Sequence, residues 1–386
     1  MRTSSLAGIA ALLACVASPA AAEEFLVGSE ISLTGINARG GGGMQEGITV
    51  AVDVFNRRSA KTKIKLVTID DESSPAKAIG AVDRLGAQGV VAIVGGATSD
   101  IVGPAANAAS KLGLVYVTSG GTSEELVSQG YRTFFRINNT AGYIRAMSGL
   151  LSDMAVKSVA VVYSTKKSTT ELANGMNTAL KAKGVQVTLH PFDPSITDFK
   201  PIINKVKLQD RPEAINMIGY ENDYIGILRA AKQLRPPVKA MVGAWQLATG
   251  KMVADFPDLM PNLYGTAMLP FPAQFTDEEG REFHATYQRL HGKDPDYLGQ
   301  FGFVQATLLF EAIDRAARKG PVTKERLGDE MRRTDRETLI GRVKFAANGD
   351  NEVFSHRMGQ HQNGKVVIVW PKERATGKMN FPALPW

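Results

Sequence analysis

Cysteine is almost absent from this chain of 386 residues: the single one is Cys15. Removal of a leader ending at Ala22 would leave none, which excludes disulfide stapling and thiol catalysis and leaves stability to packed cores. Histidine is scarce as well, at His190, His284, His291, His356 and His361. No His-Glu-x-x-His spacing joins any of them, and His356 and His361 flank a predicted hairpin, so no metal site is expected. No basic run with interleaved aromatics occurs. The formal charge of +7 is spread among mixed signs, which argues for a solvated surface and against nucleic acid as a partner. No Gly-x-Ser-x-Gly elbow and no phosphate loop ending in Lys-Ser/Thr is present. "GTSEE" lacks the closing glycine of the first, and "GINARGGGGM" lacks the ending of the second. No catalytic constellation and no cofactor are therefore expected.

Long apolar runs are missing too, with one partial exception. Leu6 to Val16 is apolar apart from one glycine. It follows Met1-Arg2 and precedes Ser18-Pro19 and the small residues Ala20-Ala21-Ala22. That order predicts a secretory signal peptide over 1–22, cut after Ala22, and the run falls well short of the ~20 residues a membrane span needs. "LLAC" offers a competing reading, lipid attachment at Cys15. Export to the periplasm is expected on either reading.

What is present is a regular alternation of β-type runs and helical periodicity. "FLVGSEIS", "KIKLVTID", "VVAIVGG" and "LVYVTSG" are nearly continuous Val, Ile and Leu, as in strands buried on both faces. Helices are predicted over 44–56, from Ser74-Pro75, after Ser99 and after Thr122. The alternation restarts with "SVAVVYS", "VQVTLHPF", "AINMIGY" and "KAMVGAW", separated by helices over 169–183, 198–208 and 223–234. Residues 277–334 read as almost wholly helical, and Asn363-Gly364 as a hairpin turn. The expectation is an α/β protein of two doubly wound lobes joined by a three-segment hinge. Lobe 1 is assigned 23–140 and 271–345, and lobe 2 is assigned 141–270 and 346–386.

Open parallel sheets bind ligands beyond their carboxyl strand ends. Two such ends carry similar residues: "GGATSD", with Thr98 and Ser99, and "TSGGTS", with Gly121 and Thr122. Hydroxyls and bare amides at helix starts suit a carboxylate or phosphate, and Gly121 offers close backbone approach. Taken singly, Ser99 and Thr122 also read as ordinary N-caps. The glycine-rich stretch "NARGGGGM", with Arg39, reads either as a flexible loop or as part of a ligand wall.

In order and spacing, "LTG" (33–35), "EGITVAVDVFN", "DDESSPAKA", "GGATSDIVGPA", "SGGTSEEL", "FRINN", "TDF" (197–199) and "GYENDYIGILRAA" resemble the solute-binding proteins of branched-chain amino acid ABC transporters. That family is the Leu/Ile/Val-binding type with the type I periplasmic-binding-protein fold, and the likeness runs over essentially the whole mature chain. It implies a non-enzymatic, monomeric protein that closes on a small molecule and delivers it to a membrane permease. It further implies that Ser99, Gly121 and Thr122 hold a ligand carboxylate, that Tyr220 lines the cleft and that Phe301 closes the pocket. The departures from the family concern its ammonium site. Where amino-acid binders place a carboxylate, this chain has Trp245. Ser168 matches a usual tyrosine, and a bulky aromatic is replaced near Gly40. An unpaired buried ammonium would cost about 3–5 kcal/mol, so an aromatic or apolar acid without an α-amino group is expected. The alternatives are an amino-acid binder using Glu221 or Asp223 as counter-charge, and a sensory protein presenting its ligand to a receptor.

Overall fold

The computed structural model describes residues 22–383. The signal peptide and Cys15 expectations lie outside these residues, apart from Ala22 itself. The first half runs β1 (Glu23–Ile31), α1 (Ala38–Arg58), β2 (Thr62–Asp70), α2 (Pro75–Ala87), β3 (Ala92–Gly95), α3 (Ser99–Lys111), β4 (Val115–Thr118), α4 (Glu125–Ser128) and β5 (Phe134–Arg136). Next come α5 (Thr140–Asp153), β6 (Ser158–Ser164), α6 (Lys167–Lys181), β7 (Gln186–Phe192), α7 (Lys200–Lys205), β8 (Ala214–Ile218), α8 (Glu221–Leu234), β9 (Ala240–Gly243), α9 (Gly250–Asp255) and β10 (Tyr264–Ala267). The remainder is α10 (Glu278–His291), α11 (Tyr297–Ala317), α12 (Lys324–Arg332), β11 (Asp335–Thr338), β12 (Gly341–Lys344), β13 (Arg357–Gln362) and β14 (Lys365–Trp370).

The first sheet is parallel with order β2-β1-β3-β4-β5. In the second, β7-β6-β8-β9-β10 repeats that order in parallel, and β13 and β14 extend the β10 edge antiparallel. The fold is thus two doubly wound lobes. Each strand order reverses once, between β1 and β3 and between β6 and β8, and opens a crevice at the carboxyl ends. The apolar strands explain the layering: β3, β4, β8, β9 and β10 are buried along their whole length, so both faces must be covered by helices. Helices α1, α10, α11 and α12 share one core with the first sheet, while α2 and α3 cover its other face. Around the second sheet, α5 and α6 pack on one side, and α7 and α8 on the other. Among the described residues the chain passes between the lobes three times, after β5, β10 and β12. None of these residues forms a helix long and apolar enough to cross a membrane.

Two local expectations are corrected. The glycine run is neither a loop nor a late helix start, because α1 begins at Ala38. A Cβ on Gly41 would lie 1.9 Å from the Ser32 carbonyl oxygen, and one on Gly47 would lie 1.9 Å from that of Gly299. These glycines let α1 press against β1 and α11, and packing overrides their poor helix propensity. The helix expected after Thr122 is only the four-residue α4, too short for a useful dipole. The hairpin turn agrees with the sequence, with Asn363 and Gly364 at φ 50° and 73°.

Candidate functional site

Carboxyl strand ends of both lobes converge on a cavity of about 330 Å³, within the range of small-molecule sites. Lobe 1 contributes Thr98, Ser99, Ser119, Gly120, Thr122 and Asn138, with Arg39 and Gly40 of α1. Lobe 2 contributes Tyr143, Lys166, Ser168, Tyr220, Glu221, Asp223, Trp245 and Gln246, and Tyr297 and Leu298 come from the start of α11. Wider grooves of about 520 and 680 Å³ lie along α1 and α11 and beside α3, but neither gathers the strand ends of both sheets. Among the described residues no three His, Cys, Asp or Glu side chains gather as a metal site requires.

The corner at 119–123 is shaped from behind by Arg136, a fully buried residue that the sequence reading did not single out. Its Nη1 donates to the carbonyls of Thr122 (2.8 Å) and Ser123 (2.7 Å), and its Nε donates to Asp350 (2.8 Å). The peptide planes that Arg136 holds by these carbonyls carry the Ser123 and Glu124 amides on their far side. The Ser123 amide and the neighbouring Thr122 amide both donate to Ser99 Oγ at 3.1 Å. An Oγ that accepts twice has its own proton left to donate. Ser99, the first residue of α3 with Thr98 at the cap position, lines the cavity with a hydroxyl proton that these two bonds do not use. The corner's amides are thus partly spent inside the protein: Ser99 holds those of Thr122 and Ser123, and the Gly120 amide donates to Thr118 Oγ1 at 3.0 Å.

Gly121 is not in the wall. A Cβ there would meet Leu126 and Val102 side chains at 2.7 Å, so this glycine serves packing beneath the corner. Gly120 is the residue at the wall, and a Cβ there would lie 2.2 Å from the Gly96 carbonyl oxygen. Phe301 is likewise corrected. It is fully buried one turn into α11, with its ring tilted against Tyr297 at a centroid distance of 5.1 Å, and the α11 residues at the cavity are Tyr297 and Leu298.

The opposite wall is aromatic. Trp245 lies parallel to Tyr220, with centroids 5.9 Å apart and planes at 10°, and touches Tyr143 at 5.4 Å. Trp245 and Gln246 both have positive φ, 22° and 59°. That conformation costs non-glycine residues of order 1–3 kcal/mol each and persists only where the surrounding packing fixes it. Ser168 hydrogen-bonds Tyr220 through their hydroxyls (3.3 Å), Lys166 Nζ lies 4.7 Å from the Tyr220 ring centre, and burial pushes the Tyr220 phenol up to about 12. At Gly40 a Cβ would press on Leu298 at 3.1 Å, with Gln246 at 4.0 Å, so this glycine lets the start of α1 approach α11 closely.

The floor is a closed circuit. Asn138 Nδ2 donates to Ser119 O (3.1 Å) and Tyr143 OH (3.2 Å), so its Oδ1 accepts from His356 Nε2 (3.2 Å). His356 Nδ1 must then accept from Tyr297 OH (3.2 Å), and Tyr143 donates to Tyr297 (3.0 Å). Burial holds His356 far below the usual histidine range, which keeps it neutral as this circuit requires. Asn138 and Tyr143, five residues apart, and Tyr297, 154 residues beyond Tyr143, were missed in sequence because no local pattern pairs these two stretches.

Further polar contacts join the lobes at the rim of the cleft. Glu171 of α6 accepts from Ser123 Oγ (2.7 Å) and the Glu124 amide (3.0 Å), and Lys167 pairs with Glu125. The guanidinium of Arg39 pairs with both Glu221 and Asp255. Asp223 lines the cavity with Oδ2 accepting from the Tyr220 amide at 2.8 Å, and burial raises its carboxyl above the usual range.

Residues 26–362 match the family model described as periplasmic binding protein. The chain belongs to that family. Among its relatives, the Leu/Ile/Val-binding protein homolog 8 of Brucella suis biovar 1 is 25% identical, over 99% of this chain and 100% of the relative. A branched-chain amino acid transporter substrate binding protein, LivJ from Streptococcus pneumoniae, was solved with isoleucine. It superposes with a TM-score of 0.77 at 23% identity, covering 93% of this chain and 100% of that one. An ABC transporter solute binding protein from R. palustris, solved with benzoate, gives 0.79 at 16% identity, covering 94% and 97%. At these identities the two structures share the fold with this binding protein, and their ligands belong to them.

Proposed function

We propose that this protein is the periplasmic solute-binding component of an ABC importer, exported by a leader over 1–22. As a monomer it captures a small carboxylate with an aromatic or apolar body and hands it to a membrane permease. Lobe 1 is taken as 23–140 and 271–345, and lobe 2 as 141–270 and 346–386. The observation that carries the ligand class is Trp245 stacked along Tyr220 in the cavity wall. An indole offers one N–H donor and a π face. Its cation–π attraction, about 2 kcal/mol when desolvated, does not replace full pairing of a buried ammonium. Stacking on an aromatic ligand adds about 0.5–1.5 kcal/mol beyond burial. Ser99, with its proton unspent, and Thr122 supply the carboxylate end.

Calorimetry on the mature protein tests this reading. Benzoate or a related aromatic acid is expected to bind in the micromolar range or tighter, roughly −8 kcal/mol or better, with L-leucine at least about a hundredfold weaker. The second reading is an amino-acid binder with Glu221 or Asp223 as counter-charge. It draws support from the cavity position of both carboxylates and from the named Leu/Ile/Val relatives. Tight leucine binding that is lost in Glu221→Gln or Asp223→Asn would establish it and refute the acid reading.

A further inference from the structure

Arg39 sits in the first turn of α1 in lobe 1 and reaches across the cleft. One terminal nitrogen donates to Glu221, the first residue of α8, and the other to Asp255, the last of α9. Its Nε is buried without an acceptor, and both Arg39 and Glu221 line the ligand cavity. The cavity wall holds two carboxylates, Glu221 and Asp223. Asp223 commits one oxygen to the Tyr220 amide at 2.8 Å and lies near the Lys166 charge. Glu221 would serve an incoming ammonium, and Arg39 already holds it.

We propose that Arg39 is a specificity-determining residue that sequesters Glu221 in the closed state and so denies an α-amino acid its ammonium partner. The proposal rests on the acid reading above. A ligand ammonium would share Glu221 with a guanidinium and meet a like charge at short range. A ligand oxygen meets no such barrier, and the Nε–H of Arg39 is a donor that still lacks an acceptor. The same side chain ties α1 to α8 and α9, so its loss also loosens closure for every ligand. A gain for amino acids must therefore appear against a general loss.

The test is calorimetry on the mature chain with L-leucine and benzoate as probes. In Arg39→Ala, benzoate is expected to weaken while leucine tightens at least about tenfold, a ΔΔG of about 1.4 kcal/mol. Adding Glu221→Gln should abolish the leucine gain. Asp255→Asn removes the other half of the clamp but leaves Glu221 paired, so it should weaken benzoate without any gain for leucine. Leucine unchanged or weaker in Arg39→Ala, or a gain that survives Glu221→Gln, would overturn the role of Arg39. Tight leucine binding by the unmodified protein would instead remove the acid reading itself.

Discussion

Replacing Ser99 by alanine removes three hydrogen-bonding roles at one atom, and they fall on different observables. Oγ accepts the Thr122 and Ser123 amides at 3.1 Å each. Each such bond contributes about 0.5–1.5 kcal/mol net, and the freed amides face a cavity that water can enter. The unliganded protein should therefore lose roughly 1–2 kcal/mol. The Oγ proton, left free by the two accepted bonds, would be worth about 1.5–3 kcal/mol to a carboxylate bound in the cavity. That is a factor of roughly 10–150 in affinity. Part of this loss is recovered, because the two released amides are themselves donors at the same wall, so the lower end of the range is expected. Thr122→Val separates the roles. It removes the cavity hydroxyl and keeps the backbone bonds of Thr122, whose carbonyl still accepts from Arg136 and from Thr140 Oγ1 (2.7 Å). Calorimetry with benzoate should show both variants weakened about tenfold or more, and urea melts should show only Ser99→Ala destabilised. If folded Ser99→Ala and Thr122→Val both bind the acid within about twofold of the unmodified protein, the carboxylate does not sit at this corner.

Two further predictions concern buried titratable groups. Glu30 is fully buried in β1, accepts from Tyr116 OH at 2.6 Å, and is raised well above its ordinary value by burial, with Asp71 beside it. A carboxyl raised by folding is least costly when protonated, so its penalty grows as pH climbs above the ordinary glutamate range. Glu30→Gln should raise the melting temperature at pH 8 by a few degrees, about 2–4 °C per kcal/mol for a lobe of this size, and should change it little at pH 4; equal shifts at both pH values would refute this. His361, donating to Leu247 O at 2.8 Å, is lowered by burial to about 4. Its contribution is complete above the ordinary value near 6.5 and is lost as pH falls through about 4, amounting to about 3 kcal/mol at full protonation. Urea melts from pH 7 to pH 4 should show a shallower acid decline in His361→Gln, and an unchanged slope would refute the assignment.

The sequence by itself determined the alternation of buried strands and amphipathic helices, and with it the two doubly wound lobes. Burial periodicity is local, and a run such as "VVAIVGG" has few places to go except between two helical layers. The place of Ser99 and Thr122 beside the cavity was legible for the same reason: both lie just beyond strands, and carboxyl strand ends of one sheet lie side by side. Tertiary structure alone decided which atoms face the cavity. Gly120 rather than Gly121 reaches the wall because the two strand-end loops touch there, and Leu126 and Val102 fill the space behind. The glycine run became helix because β1 and α11 admit no side chain against it, a constraint written in residues far along the chain. The pairing of Arg39 with Glu221, 182 positions apart, and the circuit of Asn138, Tyr143, Tyr297 and His356 exist only once the crossovers bring both lobes together. No local pattern encodes such contacts, because each partner's residue type is common and only the closed geometry selects which ones meet.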